Sequence, residues 1–103
     1  MSGLANRARG EVLLEIDGAP RKLCVTLGAL AELEAAFDVG SFAELGERLS
    51  ALTAGDLIIV LSALVTGGGA PLNPTEISAA QIDPRAAAEA VAEAFRLAFD
   101  DDA

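Results

Sequence analysis

The sequence predicts an α+β fold: an N-terminal β-hairpin packed on a small bundle of about five helices, mostly α. Three observations carry this. Apolar residues alternate at period two in two short runs near the N-terminus and recur at helical spacing everywhere after them. Helix-start signatures of the Ser/Thr-x-x-Glu/Asp type occur at Ser41/Glu44 and again at Thr53/Asp56. The apolar content, 52% of 103 residues, is mainly Ala, Leu and Val with four Phe and no Trp or Tyr, which suits closely spaced helices. The length is that of one domain, expected over residues 11–99, with a flexible arm at 1–10 and an acidic tail at 100–103.

From Glu11 to Asp17, Val12, Leu14 and Ile16 alternate with Glu11, Leu13, Glu15 and Asp17, the pattern of a half-buried strand. Asp17-Gly18-Ala19-Pro20 is turn chemistry, and Arg21 to Leu27 resumes the alternation with Leu23, Val25 and Leu27 inward. An isolated hairpin is marginal in water, so its apolar face must lie on other parts of the chain or on another subunit.

Thr26 is placed to cap a first helix with Leu27, Leu30, Leu33 and Phe37 as its stripe, ended by Val39-Gly40. Ser41 with Glu44 starts a second, running to about Leu52 with Phe42, Leu45 and Leu49 inward and Gly46 weakening its middle by roughly 1 kcal/mol. Thr53 with Asp56 opens a third, from Ala54 to about Thr66. It is apolar around nearly its whole circumference and is therefore central or partner-covered. Ile58, Ile59 and Val60 would also suit a strand, but the cap and the length of the run favour helix. Gly67-Gly68-Gly69 reads as a hinge or linker. Asn73-Pro74 starts a short fourth helix to about Ala80. Asp83-Pro84 starts the last, with Ala88, Val91, Ala92, Phe95 and Phe99 on its apolar face and Arg85, Glu89, Glu93, Arg96 and Asp100 opposite.

Composition excludes more than it offers. With no His and one Cys, the chain lacks the usual general base, the commonest metal ligand and any intrachain disulfide. No catalytic, cofactor-binding or metal-binding residue is expected. The net charge is −9: up to Lys22 four basic residues meet three acidic ones, and beyond it three meet thirteen. That acidity repels nucleic acid and anionic membrane. The longest apolar run, Leu57 to Val65, is short of the ~20 residues that cross a bilayer. The N-terminus lacks the apolar run of a secretory signal, so the cytoplasm is the expected compartment. Gly67–Gly69 is followed by no Lys-Ser/Thr, as a phosphate loop would require. Cys24 has no His to activate it and reads as structural. Glu89 and Glu93 lie on the polar face, where acid–base work is not favoured. Ser41, at a helix start after Asp38, distantly matches the attachment site of an acyl carrier protein, but its role as an N-cap accounts for it.

The ordered segments together resemble a known family. Arg-Gly-Glu-Val (Arg9 to Val12), the turn Gly18, Thr-Leu-Gly-Ala-Leu-Ala-Glu-Leu-Glu (Thr26 to Glu34) and Val39-Gly40 are similar to the small proteins of gene transfer agent and siphophage-like tail clusters. The later Gly67–Gly69 break, the helix around Glu76, Asp83-Pro84 and the final Ala98-Phe99 agree. The resemblance implies a non-catalytic tail protein, described in that family both as a tube component and as a tail assembly chaperone. Known tube subunits of long flexible tails are β-rich, and a mostly helical chain fits the chaperone better. Its implied partners are the tape measure protein and the tail tube protein; the hairpin edges and the third helix suit a homo-oligomer and a monomer equally. The surface expected to serve the partners is the third helix, through Leu57, Ile58, Val60, Leu61 and Leu64, together with the hairpin face at Leu14, Ile16 and Val25. The alternative is that these residues are simply core.

Overall fold

A computed structural model describes residues 9–99. The expected acidic tail, and all of the expected arm except Arg9 and Gly10, lie outside the described residues. The fold is α+β, a two-stranded antiparallel hairpin followed by five helices.

Strands β1 (Glu11–Ile16) and β2 (Ala19–Cys24) pair from Ile16↔Ala19 to Glu11↔Cys24. The two loop residues, Asp17 (φ 55°) and Gly18 (φ 79°), are both left-handed, as the twist of a two-residue hairpin requires. Asp17 is held further by exchange with the chain before the last helix: its N–H donates to the Gln81 carbonyl (3.0 Å) and its Oδ1 accepts from the Gln81 N–H (2.7 Å). Val12, Leu14, Ile16 and Leu23 are buried as the alternation predicts. Two residues depart from it. Glu11, expected on the wet face, is 7% exposed, with its carboxylate 3.9 Å from Lys22 Nζ. Leu27, expected inward, is 80% exposed. The strand stops at Cys24 because Thr26 becomes an N-cap, its side-chain oxygen accepting from the Ala29 N–H (3.0 Å), and Leu27 becomes the exposed first residue of a helix.

That helix, α1 (Leu27–Phe37), buries Ala29, Leu30 and Leu33 and ends at Asp38 in the left-handed region (φ 54°, ψ 49°), two residues before the expected Gly40. Helix α2 (Phe42–Leu49) begins at Ser41, whose Oγ accepts from the Glu44 N–H (3.2 Å). The Glu44 carboxylate reaches back to the Gly40 N–H (2.7 Å) rather than to that of Ser41. Helix α3 (Ala54–Gly67) carries the complete reciprocal box between Thr53 and Asp56. No residue from Asp56 to Val65 is exposed, because β2, α1, α4 and α5 all pack against this helix. Its uniform apolarity is thus explained within the chain. Helix α4 (Pro74–Ala79) starts with an Asn73/Glu76 box and Pro74 in its first turn.

The glycine run is not a hinge at its first two positions. Gly67 closes α3 and Gly68 caps it, and both are pressed on β2. A Cβ on Gly67 would overlap the Cys24 carbonyl oxygen, and one on Gly68 the Lys22 carbonyl oxygen. In this register Lys22 and Cys24 fall in non-hydrogen-bonded pairs, so their carbonyls point off the outer edge of β2. The two glycines close that edge by bringing backbone to backbone. Beyond them, Ser62 Oγ donates to the Leu72 carbonyl (2.7 Å) and ties the loop down on α3.

Helix α5 (Pro84–Phe99) differs most from expectation. It buries Ala87, Ala90, Val91 and Ala94, and it lies against β1. Of the predicted stripe only Val91 is buried; Phe95 is half-buried, while Ala88, Ala92 and Phe99 are exposed. Alanine lets the helix settle close on the sheet, where Val12, Leu14 and Ile16 already supply the bulk. Phe42, expected inside with Leu45 and Leu49, is likewise 58% exposed.

Candidate functional site

The displaced stripe of α5 faces α2, and between them runs an apolar groove of about 490 Å³. One wall is Gly46 and Leu49 of α2 with its C-cap Ser50 and then Leu52 just beyond; the other is Ala88, Val91, Ala92, Phe95 and Phe99 of α5. It continues toward the start of α2 into a second recess of about 380 Å³ that adds Phe42, Ala43 and Leu45. Three aromatic rings mark that end. Phe42 and Phe99 meet edge-on (6.4 Å between centroids, 61°), and Phe95 stacks on Phe99 (6.0 Å, 6°). Leu27, Phe42 and Phe99 are the exposed large apolar side chains among the described residues, and two of them stand here. A contiguous apolar patch of this kind marks an interaction surface more often than a scattered exposed side chain does.

The far side of α2 is locked in place. Arg48 donates to both Asp56 oxygens, Nη1 to Oδ2 (2.5 Å) and Nη2 to Oδ1 (3.0 Å), and its guanidinium lies 4.7 Å from the centre of the Phe37 ring. Helices α1, α2 and α3 therefore meet at one arginine. Asp56, 8% exposed, also accepts from the Thr53 N–H (3.1 Å). The Arg48 hydrogen bonds, and after them the Thr53 N–H, hold its carboxyl below the usual value of 3.8 against the opposing effect of burial. With α2 anchored through Arg48 and buried Leu45, its Phe42, Gly46 and Leu49 side is left to form the groove.

A family described as "Phage tail tube protein, GTA-gp10" matches residues 9–101. The chain belongs to this family. It is a tail protein of the gene transfer agent and phage type, as the order of its sequence segments implies. No curated protein and no solved structure matches it.

Of the residues expected to serve partners of this tail protein, Leu14, Ile16, Val60, Leu61 and Leu64 are buried together in its own core. Val25, Leu57 and Ile58 are half-buried against that core. A partner would have to unfold the chain to reach the first five. Periodicity in the sequence assigns α5's aromatic stripe to the core and so hides the groove; the fold turns that stripe outward.

The remaining candidate residues offer little chemistry. Ser41 Oγ is engaged as a cap. Cys24 is half-buried, with its Sγ 3.6 Å from the Arg9 carbonyl oxygen. Burial first and Glu11 second push its thiol up, with Arg9 pulling the other way, so at neutral pH it is a thiol rather than a nucleophilic thiolate. Glu93 pairs with Arg96 (2.7 Å) and Glu89 is exposed. Among the described residues no three His, Cys, Asp or Glu side chains gather where they could hold a metal, and no helix is long and apolar enough to cross a membrane.

Proposed function

We propose that this tail protein is a tail assembly chaperone: a non-catalytic, cytoplasmic adaptor that holds the tape measure protein until tube subunits polymerise around it. The observation that carries the reading is the small sheet, one edge of which is closed. Among the described residues it has two strands of six residues each, its inner face is covered by α3 and α5, and the outer edge of β2 is closed by Gly67 and Gly68. A tube wall built from continuous sheet would need open edges for neighbouring subunits. A chaperone needs an apolar surface for a helical client and a charged exterior that keeps the complex dissolved. The α2/α5 groove and the net charge of −9 meet both needs. Phe42, Leu49, Phe95 and Phe99 are then the client contacts, in place of the core residues first expected. Each contributes roughly 1.5–3 kcal/mol when fully covered, so a few reach micromolar affinity after the costs of association.

Co-expression with a tape measure protein of a gene transfer agent tail tests the role. The client should be retained on the tagged tail protein and gain solubility; neither happening would sink the reading. The family description favours a second one, a structural tube subunit. In that case concentrated protein should form tubes visible by electron microscopy, whereas a chaperone stays a small species, alone or as a closed homo-oligomer.

A further inference from the structure

The groove has a gap in its wall that the fold does not explain. Gly46 sits in the middle of α2 with helical backbone, so no positive φ demands glycine there. Among the described residues nothing but its own helix comes within 4 Å of where its Cβ would stand, so no close approach demands it either. It nonetheless costs the helix roughly 1 kcal/mol relative to Ala. It lines both recesses of the groove. We infer that Gly46 is a notch that receives one bulky apolar side chain of a helix lying between α2 and α5, and that this helix belongs to the tape measure protein; the inference rests on the chaperone reading.

The walls decide that the occupant is a helix. Apart from Ser50 and Leu52 the lining is helical, with the backbone groups of the helix interiors turned into their own ladders, and no strand edge lines the groove. An extended peptide laid there would lose its hydrogen bonds to water and find none in return, whereas a helix brings its own. From Ala88 to Phe99 the wall is about three helical turns long, matching apolar residues at i, i+3 or i+4, and i+7 of the occupant. Charge argues for the flanks. Exposed Glu47 and Glu89 adjoin groove residues in sequence and are opposed by one exposed Arg85, while Glu93 and Arg96 pair with each other. On a chain of net charge −9 this favours Lys or Arg beside the occupant's apolar stripe and disfavours a second copy bearing the same charge.

The test titrates the full chain and its Gly46→Ala and Gly46→Leu variants with peptides of about 20 residues tiling the tape measure protein, some 30 Å of helix each. Readouts are calorimetry and backbone amide shifts. Basic-flanked amphipathic peptides should bind and shift the Gly46, Ala92 and Phe95 amides. Gly46→Ala should bind within about threefold of the parent, and Gly46→Leu at least about tenfold more weakly while melting no lower. Equal binding by Gly46→Leu, or shifts centred elsewhere, would overturn the notch and leave the chaperone role standing. A parent dimer abolished by Gly46→Leu would make the occupant a second copy and also overturn it. If the parent retains neither the peptides nor the intact tape measure protein, the chaperone reading falls. A designed leucine-stripe peptide with Lys flanks then judges the groove alone: shifts at Gly46 uphold a helix site, and their absence ends it.

Discussion

Two glycine-to-alanine substitutions in this chain should move its stability in opposite directions, and the structure sets both signs. At Gly67 the new methyl would fall well inside the 3.0 Å that real Cβ atoms respect, against the Cys24 carbonyl oxygen, which is backbone and unable to rotate away. Relief requires α3 and β2 to separate, which exposes the edge and loosens Val65 and Leu64 beneath it. Overpacking of this kind costs about 1–3 kcal/mol, and the gain from alanine's helix propensity, at most about 1 kcal/mol at the last residue of a helix, does not cancel it. Gly68→Ala meets Lys22 in the same way. At Gly46 the same methyl enters open space, so only the propensity gain remains, about 0.5–1 kcal/mol of stabilisation. For a chain of this size about 1 kcal/mol corresponds to some 5 °C in melting temperature. Thermal and urea unfolding followed by circular dichroism should place Gly46→Ala above the parent and Gly67→Ala clearly below it. A Gly67→Ala variant as stable as the parent would refute the close packing of α3 on β2, and with it the claim that the edge is closed.

Other outcomes follow from the same geometry. Leu64→Ala, at a fully buried position of the central helix, should cost about 2–5 kcal/mol in urea unfolding. Asp56 is held below its usual 3.8, so folding favours its ionised form; that stabilisation is complete above 3.8 and is lost as pH falls through the lower folded value. The melting-temperature advantage of the parent over Asp56→Asn should therefore be constant near neutrality and shrink in acid. Phe42→Ser and Phe99→Ser should change stability by about 1 kcal/mol or less, because both rings are more than half exposed, while lowering client retention. Alkylation of Cys24 should be slow at neutral pH, and its rise with pH should continue past the usual 9.0 before levelling off, since burial raises the thiol.

Where local chemistry decides conformation, the sequence was legible. Asp17-Gly18 fixes the hairpin, Thr26, Ser41, Thr53 and Asn73 each cap the helix expected of them, and the all-round apolarity of α3 matches its central place. Contacts between elements left no such trace. Nothing local distinguishes Gly67 and Gly68, which close a strand edge, from Gly69, which takes a positive φ in a turn. Arg48 and Asp56 are eight residues apart on different helices, and their pairing exists only once α2 and α3 are packed. The alternation from Arg21 to Leu27 overshoots the strand, because at Val25 and Leu27 it competes with the Thr26 cap and the cap wins.

The misreading of α5 bears most directly on function. Helical periodicity locates an apolar face by its largest residues, so Phe95 and Phe99 drew the stripe, with Val91 between two alanines. A helix that must lie flat on a short hairpin is better served by methyl groups, and the fold turns Ala87, Ala90 and Ala94 inward instead. The helix therefore has two apolar faces roughly a quarter-turn apart that share Val91, one spent on the chain and one left over. A chain needing only its own core would gain solubility from polar residues at Ala88, Ala92 and Phe99. That it keeps them apolar, opposite an α2 with a glycine at the matching place, is the strongest physical reason to assign that face to another molecule.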